Sequence, residues 1–311
     1  MPVYIPPISR REFLAKTSVA ATGIILGFNG LFRGSGNVDP DYFVLFADTH
    51  ISQYANQMRG DVHLIGNLKA AMERILENQE RRPAALIING DAARLSGLKE
   101  DYEMFVEAIK PISESGIPIY ITMGNHDDRE PFFEVMPEMK PDEVPISQRH
   151  IEILDTPNVY LILLDTLDQV NEAPGIFGQE QLVWLDETLP QYNDKPVMLF
   201  GHHNPGGLQD RSQFYAILDK HRHVKAYFFG HTHRWAVSRR DGLHLVNQPA
   251  TSYVFDDSQP SGLVHADFKD DHVYIRLDCL DKEHVWHGQQ GSLPYRSGVS
   301  SVLENAGSAF G

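Results

Sequence analysis

Apolar residues in this chain follow a repeating order. A short uninterrupted run is followed by a tight polar turn and then by a stretch with apolar positions three and four apart. The first run, 42–47, reads Tyr-Phe-Val-Leu-Phe-Ala, the pattern of a strand covered on both faces. Residues 61–80 carry Leu64, Ile65, Leu68, Met72, Ile75 and Leu76 at helical spacing, closed by Arg81, Arg82 and Pro83. The alternation then continues with a strand at 84–89, a helix at 100–114 and a strand at 117–122. Further on come a strand at 159–164, a helix at 179–189, a strand at 196–200, a helix at 212–221 and a strand at 224–229.

Strand, turn, helix, strand in this order implies parallel strands joined by right-handed crossovers. Residues 129–150 break the order, because Pro131, Pro137, Pro141 and Pro145 mark a long loop that would reach over the strand ends. Beyond residue 235 the segments 236–238, 243–247, 262–268 and 272–278 show partial alternation and turn signals such as Asp241-Gly242, which suggests an antiparallel second sheet. The expected fold is α/β, a four-layer α-β-β-α sandwich of two packed mixed sheets. Residues 37–287 form its single domain, and the Gly, Ser, Gln and Ala of 288–311 predict a loose tail.

Composition narrows the partners. The 311 residues carry a formal net charge of -15 with no basic patch, which disfavours nucleic acid and anionic lipid. The single cysteine, Cys279, excludes an internal disulfide and a thiolate metal cluster. At the N-terminus, Arg10-Arg11 followed by Phe13, Leu14 and a weakly apolar segment resembles a twin-arginine export leader over 1–36. Gly23, Gly27, Asn29 and Gly30 make that segment poor as a membrane span, against the alternatives of an anchor or an ordinary helix. The implied partner is the twin-arginine export machinery and the implied location is the periplasm. With no clear cleavage site, an uncleaved leader would act as an outward-facing membrane tether.

The chemistry lies where the apolar runs stop. Five of them end in residues able to bind metal: Asp48 and His50, Asp91, Asn125, His202, and His231 with His233. Each motif alone reads as a turn or a surface pair, and 15 histidines make some pairs inevitable. All of them, however, sit at the same end of a buried strand, where open α/β sheets gather their ligands. Asp48 and His50 can reach one ion, and His231 and His233 can divide between two. Two ions about 3.5 to 4 Å apart need a bridging anion, for which Asp91 is the natural carboxylate. Nitrogen and oxygen donors without thiolate suit Fe, Mn or Zn. His63, His221, His223, His244 and His265 lie off the pattern and read as structural or surface residues.

The ordered motifs Asp48-x-His50, Gly90-Asp91, Gly124-Asn125-His126-Asp127, Gly201-His202 and Gly230-His231-x-His233 resemble the calcineurin-like metallophosphoesterases. Arg129, Phe132, Leu164-Asp165-Thr166 and Gly178-Gln179-x-Gln181-Leu182-x-Trp184-Leu185 look most like the class III cyclic nucleotide phosphodiesterase branch. The resemblance implies two divalent metal ions. It makes Asp48, His50 and His233 ligands of the first, Asn125, His202 and His231 ligands of the second, and Asp91 the bridge. It also implies His126 as proton donor to the leaving oxygen, with His203 and Arg129 on the substrate. His203 matches the second residue of a His-His-Pro-Pro element, although Asn204 stands here before Pro205. Arg94 departs from the Asp or Asn that relatives carry at that place, and as a loop cation it could face solvent, a carboxylate or a substrate phosphate.

The expected activity is hydrolysis of a small phosphate ester, foremost a phosphodiester, by a hydroxide bridging two metal ions. A phosphomonoesterase or nucleotide phosphatase on the same site, and a non-catalytic exported binding protein, are the alternatives.

Overall fold

A computed structural model describes residues 38–78, 81–140 and 146–297. Two six-stranded sheets dominate it. The first runs β14-β13-β12-β1-β4-β5 and the second β10-β11-β9-β8-β7-β6. In the first sheet β1 (Val38–Phe46), β4 (Arg82–Asn89) and β5 (Ile119–Thr122) are parallel, as are β7 (Tyr160–Leu163), β8 (Val197–Phe200), β9 (Val224–Phe229) and β11 (Leu243–Asn247) in the second. Antiparallel neighbours flank these parallel centres. They are β12 (Gly262–Phe268), β13 (His272–Cys279) and β14 (Gln290–Pro294) on one sheet, and β6 (Glu152–Asp155) and β10 (Ala236–Arg240) on the other.

Strand alternation builds the layers. Phe43, Leu45, Ala85 and Ile87 point into a core shared with Leu161, Leu163, Phe200 and Phe228 of the other sheet. Their neighbours Val44, Phe46, Leu86 and Ile88 pack outward on α1 (Leu64–Leu76), α2 (Lys99–Glu114) and α3 (Arg129–Val135). On the far side Ile162, Leu199 and Tyr227 pack on α4 (Gln179–Thr188) and α5 (Arg211–Lys220). Burial on both faces explains why these strands read as unbroken apolar runs, and the result is the expected α-β-β-α sandwich.

Three expectations change. The strands after residue 235 do not make a separate antiparallel sheet: β10 and β11 extend the second sheet, whereas β12 and β13 extend the first. Alternation identifies a strand but not the edge it joins. The proline-marked stretch 129–150 holds α3, because the Asp128 side chain accepts the Glu130 N–H and caps it. Residues 290–294 pair with β13, so the loose segment expected from Gly288 does not begin there. The leader reading lies outside the described residues. Among the described residues, no helix is long and apolar enough to cross a membrane.

Candidate metal centre

The loops leaving β1, β4, β5, β8 and β9 converge at one rim of the sandwich. Side-chain donor atoms of Asp48, His50 and His233 all lie within 4.8 Å of one another, as do those of Asp91, His202 and His231, and those of His50, Asp91 and His126. Asn125 completes the second group, its Oδ1 being 2.9 Å from His231 Nδ1. The structure therefore brings all seven expected ligands together, with His126 beside them.

Local backbone geometry marks the same residues. Eight non-glycine residues have positive φ among the described residues, and five of these are Asp48, His50, Asp91, His231 and His233. Left-handed backbone is unfavourable for such side chains and persists only where the surroundings enforce it. It folds each loop back so that side chains from both sheets face one point. Glycines clear the space: a Cβ on Gly124 would lie 2.1 Å from Asp91 Oδ1, and one on Gly230 would lie 2.5 Å from Asp48 Oδ2. Gly90, Gly124 and Gly230, each just before a ligand, thus make room for a ligand from a neighbouring loop.

The donor set fits divalent cations on three counts. His50 Nδ1 is 3.1 Å from the Arg94 carbonyl and His233 Nδ1 is 2.6 Å from the Tyr253 carbonyl. A carbonyl only accepts, so each Nδ1 carries the proton and each Nε2 presents a lone pair. Burial also holds both imidazoles neutral, His50 far below its ordinary value and His233 at about 4. Yet the two Nε2 atoms face each other at 3.1 Å. Two lone pairs at that distance repel unless a cation lies between, and donors bound at about 2.1 Å sit roughly 3 Å apart.

Charge gives the second count. Asp48 and Asp91 are 0% and 1% exposed, and no lysine or arginine is ion-paired with either among the described residues. Burial pushes the Asp48 carboxyl up to about 8, against the pull of His202 and with the help of Asp91. Burial acts on Asp91 in the same direction, but His202 outweighs it and holds that carboxyl well below its usual range, while against its own burial His202 is raised to about 9 by Asp91 and Asp48. The third count is sharing. Asp91 Oδ2 stands 3.6 Å from His50 Nε2 and 3.2 Å from His202 Nε2, between the two groups, while its Oδ1 accepts the His126 N–H.

A family model, calcineurin-like phosphoesterase, matches residues 42–235. The chain belongs to the calcineurin-like phosphoesterases. It is a hydrolase of phosphoric ester bonds. The phosphoesterase is 29% identical over 273 residues to a probable glycerophosphodiester phosphodiesterase of Arcobacter nitrofigilis, covering 82% of this chain and 92% of that one. It is 23% identical over 260 residues to a 3',5'-cyclic-nucleotide phosphodiesterase of Nostoc, covering 80% and 91%. A dimetal phosphatase from Danio rerio shares the fold at a TM-score of 0.62 and 13% identity, over 83% of this chain and 100% of that one.

The two residues expected on substrate are placed differently. The Arg129 fork grips Asp165, Nε to Oδ2 at 2.7 Å and Nη2 to Oδ1 at 2.8 Å, and Nη2 also donates to the Leu167 carbonyl. That engagement ties the start of α3 to the segment after β7. His203 is fully buried, with its ring 4.7 Å from that of His231, its Nδ1 2.8 Å from Thr166 Oγ1 and its Nε2 without a hydrogen-bond partner among the described residues. Sequence reasoning missed the carbonyls of Asn89, Arg94 and Tyr253 that set the tautomers of His202, His50 and His233. Backbone acceptors leave no side-chain signature to find.

Proposed function

We propose that the phosphoesterase hydrolyses phosphodiesters at a centre of two divalent cations, Fe, Mn or Zn. Asp48, His50 and His233 would hold the first, Asn125, His202 and His231 the second, and Asp91 both. The observation that carries this reading is Asp91 Oδ2, which faces one histidine of each group. Cations bound there would supply a water acidified toward hydroxide and neutralise charge on the phosphoryl oxygens. Asp91 and the four imidazoles fix the positions at which charge develops, so little reorganisation is needed during reaction.

His126 would act on the leaving side. Its Nδ1–H is 2.7 Å from the Leu95 carbonyl, its ring lies 5.2 Å from that of His50, and it is only partly buried at the rim. Held by that carbonyl, the protonated ring can deliver its Nε2 proton to a departing alkoxide. Replacing His126 by Ala is expected to slow alkyl diesters roughly 100- to 1000-fold and aryl diesters much less, because a nitrophenolate leaves without a proton. Equal losses on both substrates would remove His126 from this role.

Diesters are preferred over monoesters because the relatives of Arcobacter and Nostoc are named as diesterases. The paired Arg10-Arg11 supports a further proposal, an exported enzyme that works on external esters. The deciding experiment compares bis(p-nitrophenyl) phosphate with p-nitrophenyl phosphate, using protein loaded with Mn, Fe or Zn and Asp91→Ala as control. Faster Asp91-dependent turnover of the diester is expected. Turnover of the monoester alone would make the protein a phosphatase.

A further inference from the structure

Two arginines at the rim form no ion pair among the described residues. Arg59, on β2 (Met58–Arg59), and Arg94, three residues after the bridging Asp91, come from different loops and converge on one ring. The Arg59 guanidinium carbon lies 3.9 Å above the Tyr253 ring and 5.0 Å from that of Phe255, and the Arg94 carbon lies 5.8 Å from Tyr253. Tyr253 in turn packs 5.1 Å from the ring of His50 and 4.5 Å from that of His233. The same ring thus neighbours both guanidinium groups and two of the expected metal ligands.

The chain has 42 acidic residues against 27 basic ones, so carboxylates are plentiful. Arg74, Arg81, Arg129 and Arg240 all have one. Among the described residues, none lies within ion-pair distance of Arg59 or Arg94. Arg94 Nη1 is buried with no hydrogen-bond partner, a costly state for a guanidinium donor. The nearby Asp101 attracts the Arg94 charge but stands beyond ion-pair distance of it, its Oδ1 accepting from Gln53 N at 2.7 Å and its Oδ2 from the backbone N–H of Arg94 at 3.3 Å. The exposed Phe255 ring lies 5.6 Å from that of Tyr253 and 4.3 Å from that of His233.

We propose that Arg59 and Arg94 form a second anion subsite, so that this enzyme selects phosphate esters carrying another negatively charged group beyond the phosphate at the metal centre. Arg94 supplies the unpaired fork and Tyr253 orients Arg59. Cationic headgroups such as choline are disfavoured, because the face of Tyr253 that could receive them already carries a guanidinium. The proposal rests on the proposed function only in placing the substrate's phosphoryl group at the ligand cluster.

Binding tests it without turnover. Pentylphosphonate and 6-phosphonohexanoate resist hydrolysis and differ mainly by a terminal carboxylate. With metal-loaded full-length protein at low salt, the carboxylated ligand is expected to bind roughly tenfold tighter by calorimetry, the scale of one charge-assisted hydrogen bond. The preference should fall to near unity in Arg59→Gln/Arg94→Gln and recover in part in Arg59→Gln/Arg94→Lys. Equal binding of both ligands by the wild type, or a preference that survives in the double glutamine variant, would overturn the subsite. If diesters are not hydrolysed while the arginine-dependent preference persists, the subsite stands and the diesterase reading falls.

Discussion

Two buried carboxylate centres lie at the strand ends of the molecule and are completed in opposite ways. Asp165, fully buried after β7, receives the Arg129 fork, the N–H groups of His150 at 2.9 Å and Leu167 at 3.0 Å, and the Arg149 guanidinium at 3.7 Å. Asp48 and Asp91 are as deeply buried, but they face imidazoles, and among the described residues no arginine or lysine pairs with either. Burying a charge is tolerable only where the protein or a bound ion answers it. The first centre is answered by arginine and ties α3 to the segments before β6 and after β7. The second is built for a cation from outside, and its left-handed ligand backbone is part of that construction.

Asp91→Asn should give the largest effect and split the two properties of the open centre. Loss of the shared carboxylate is expected to lower metal-dependent hydrolysis by roughly 1000-fold or more, on the scale of losing a principal electrostatic group. The metal-free variant should unfold close to the temperature of the metal-free wild type, because relief of the adjacent Asp48 offsets the lost attraction between His202 and Asp91. Thermal melts in chelator beside activity assays would show it. A large destabilisation without metal would mean that Asp91 serves the fold.

Asp165→Asn is the converse. Two arginines would lose their anion, at a cost of roughly 3 to 5 kcal/mol whether or not metal is bound. Chemical denaturation with and without metal is the measurement. A cost that vanishes on metal loading would assign Asp165 to the catalytic centre.

The contrast also separates what the chain discloses from what it conceals. The open centre was legible because its ligands are side chains of unusual type placed at the ends of apolar runs, and periodicity alone located those runs. The closed centre was not: Arg129 reads as a free cation until Asp165, 36 residues on, is seen in its fork. The same limit hid the destination of the later strands. His244 and His265 sit in similar alternating segments, yet β11 pairs with β9 of one sheet and β12 with β1 of the other. Edge pairing is decided by long-range contacts and not by local pattern. The Gln290–Pro294 strand was concealed by its Gly, Ser and Gln content, which outweighed Leu293, the one core residue that anchors it.

pH should pull the two centres apart. Burial holds His150, beside Asp165, at about 4. The unfolded chain takes up that proton near 6.5, so stability falls as the pH drops from 6.5 to about 4, by at most roughly 3 kcal/mol. At the open centre Asp48 acts with the opposite sign. With its carboxyl raised to about 8, the Asp48 contribution to the stability of metal-free protein falls as the pH climbs from the unfolded value near 3.8 toward 8, whereas His50, His231 and His233, all depressed by burial, act like His150 below pH 6.5. Metal binding requires the ionised Asp48 and removes that penalty. The rise in melting temperature on metal loading should therefore grow between pH 5 and pH 8, and a constant rise would contradict the assignment of Asp48 as a ligand.

Arg129→Lys is the smallest change and the sharpest test of where the first centre ends. A lysine keeps the charge but loses the paired donors, so the expected cost is about 1 to 2 kcal/mol of stability. If Arg129 only clamps Asp165, KM for diesters stays within about twofold of wild type once the protein is folded, because no donor was facing substrate. If the residue also reaches the phosphoryl group, KM rises by about tenfold while the melting temperature moves by the same amount as before. Measuring both quantities on one preparation tells a clamp from a substrate contact, because only the clamp couples lost stability to an unchanged KM.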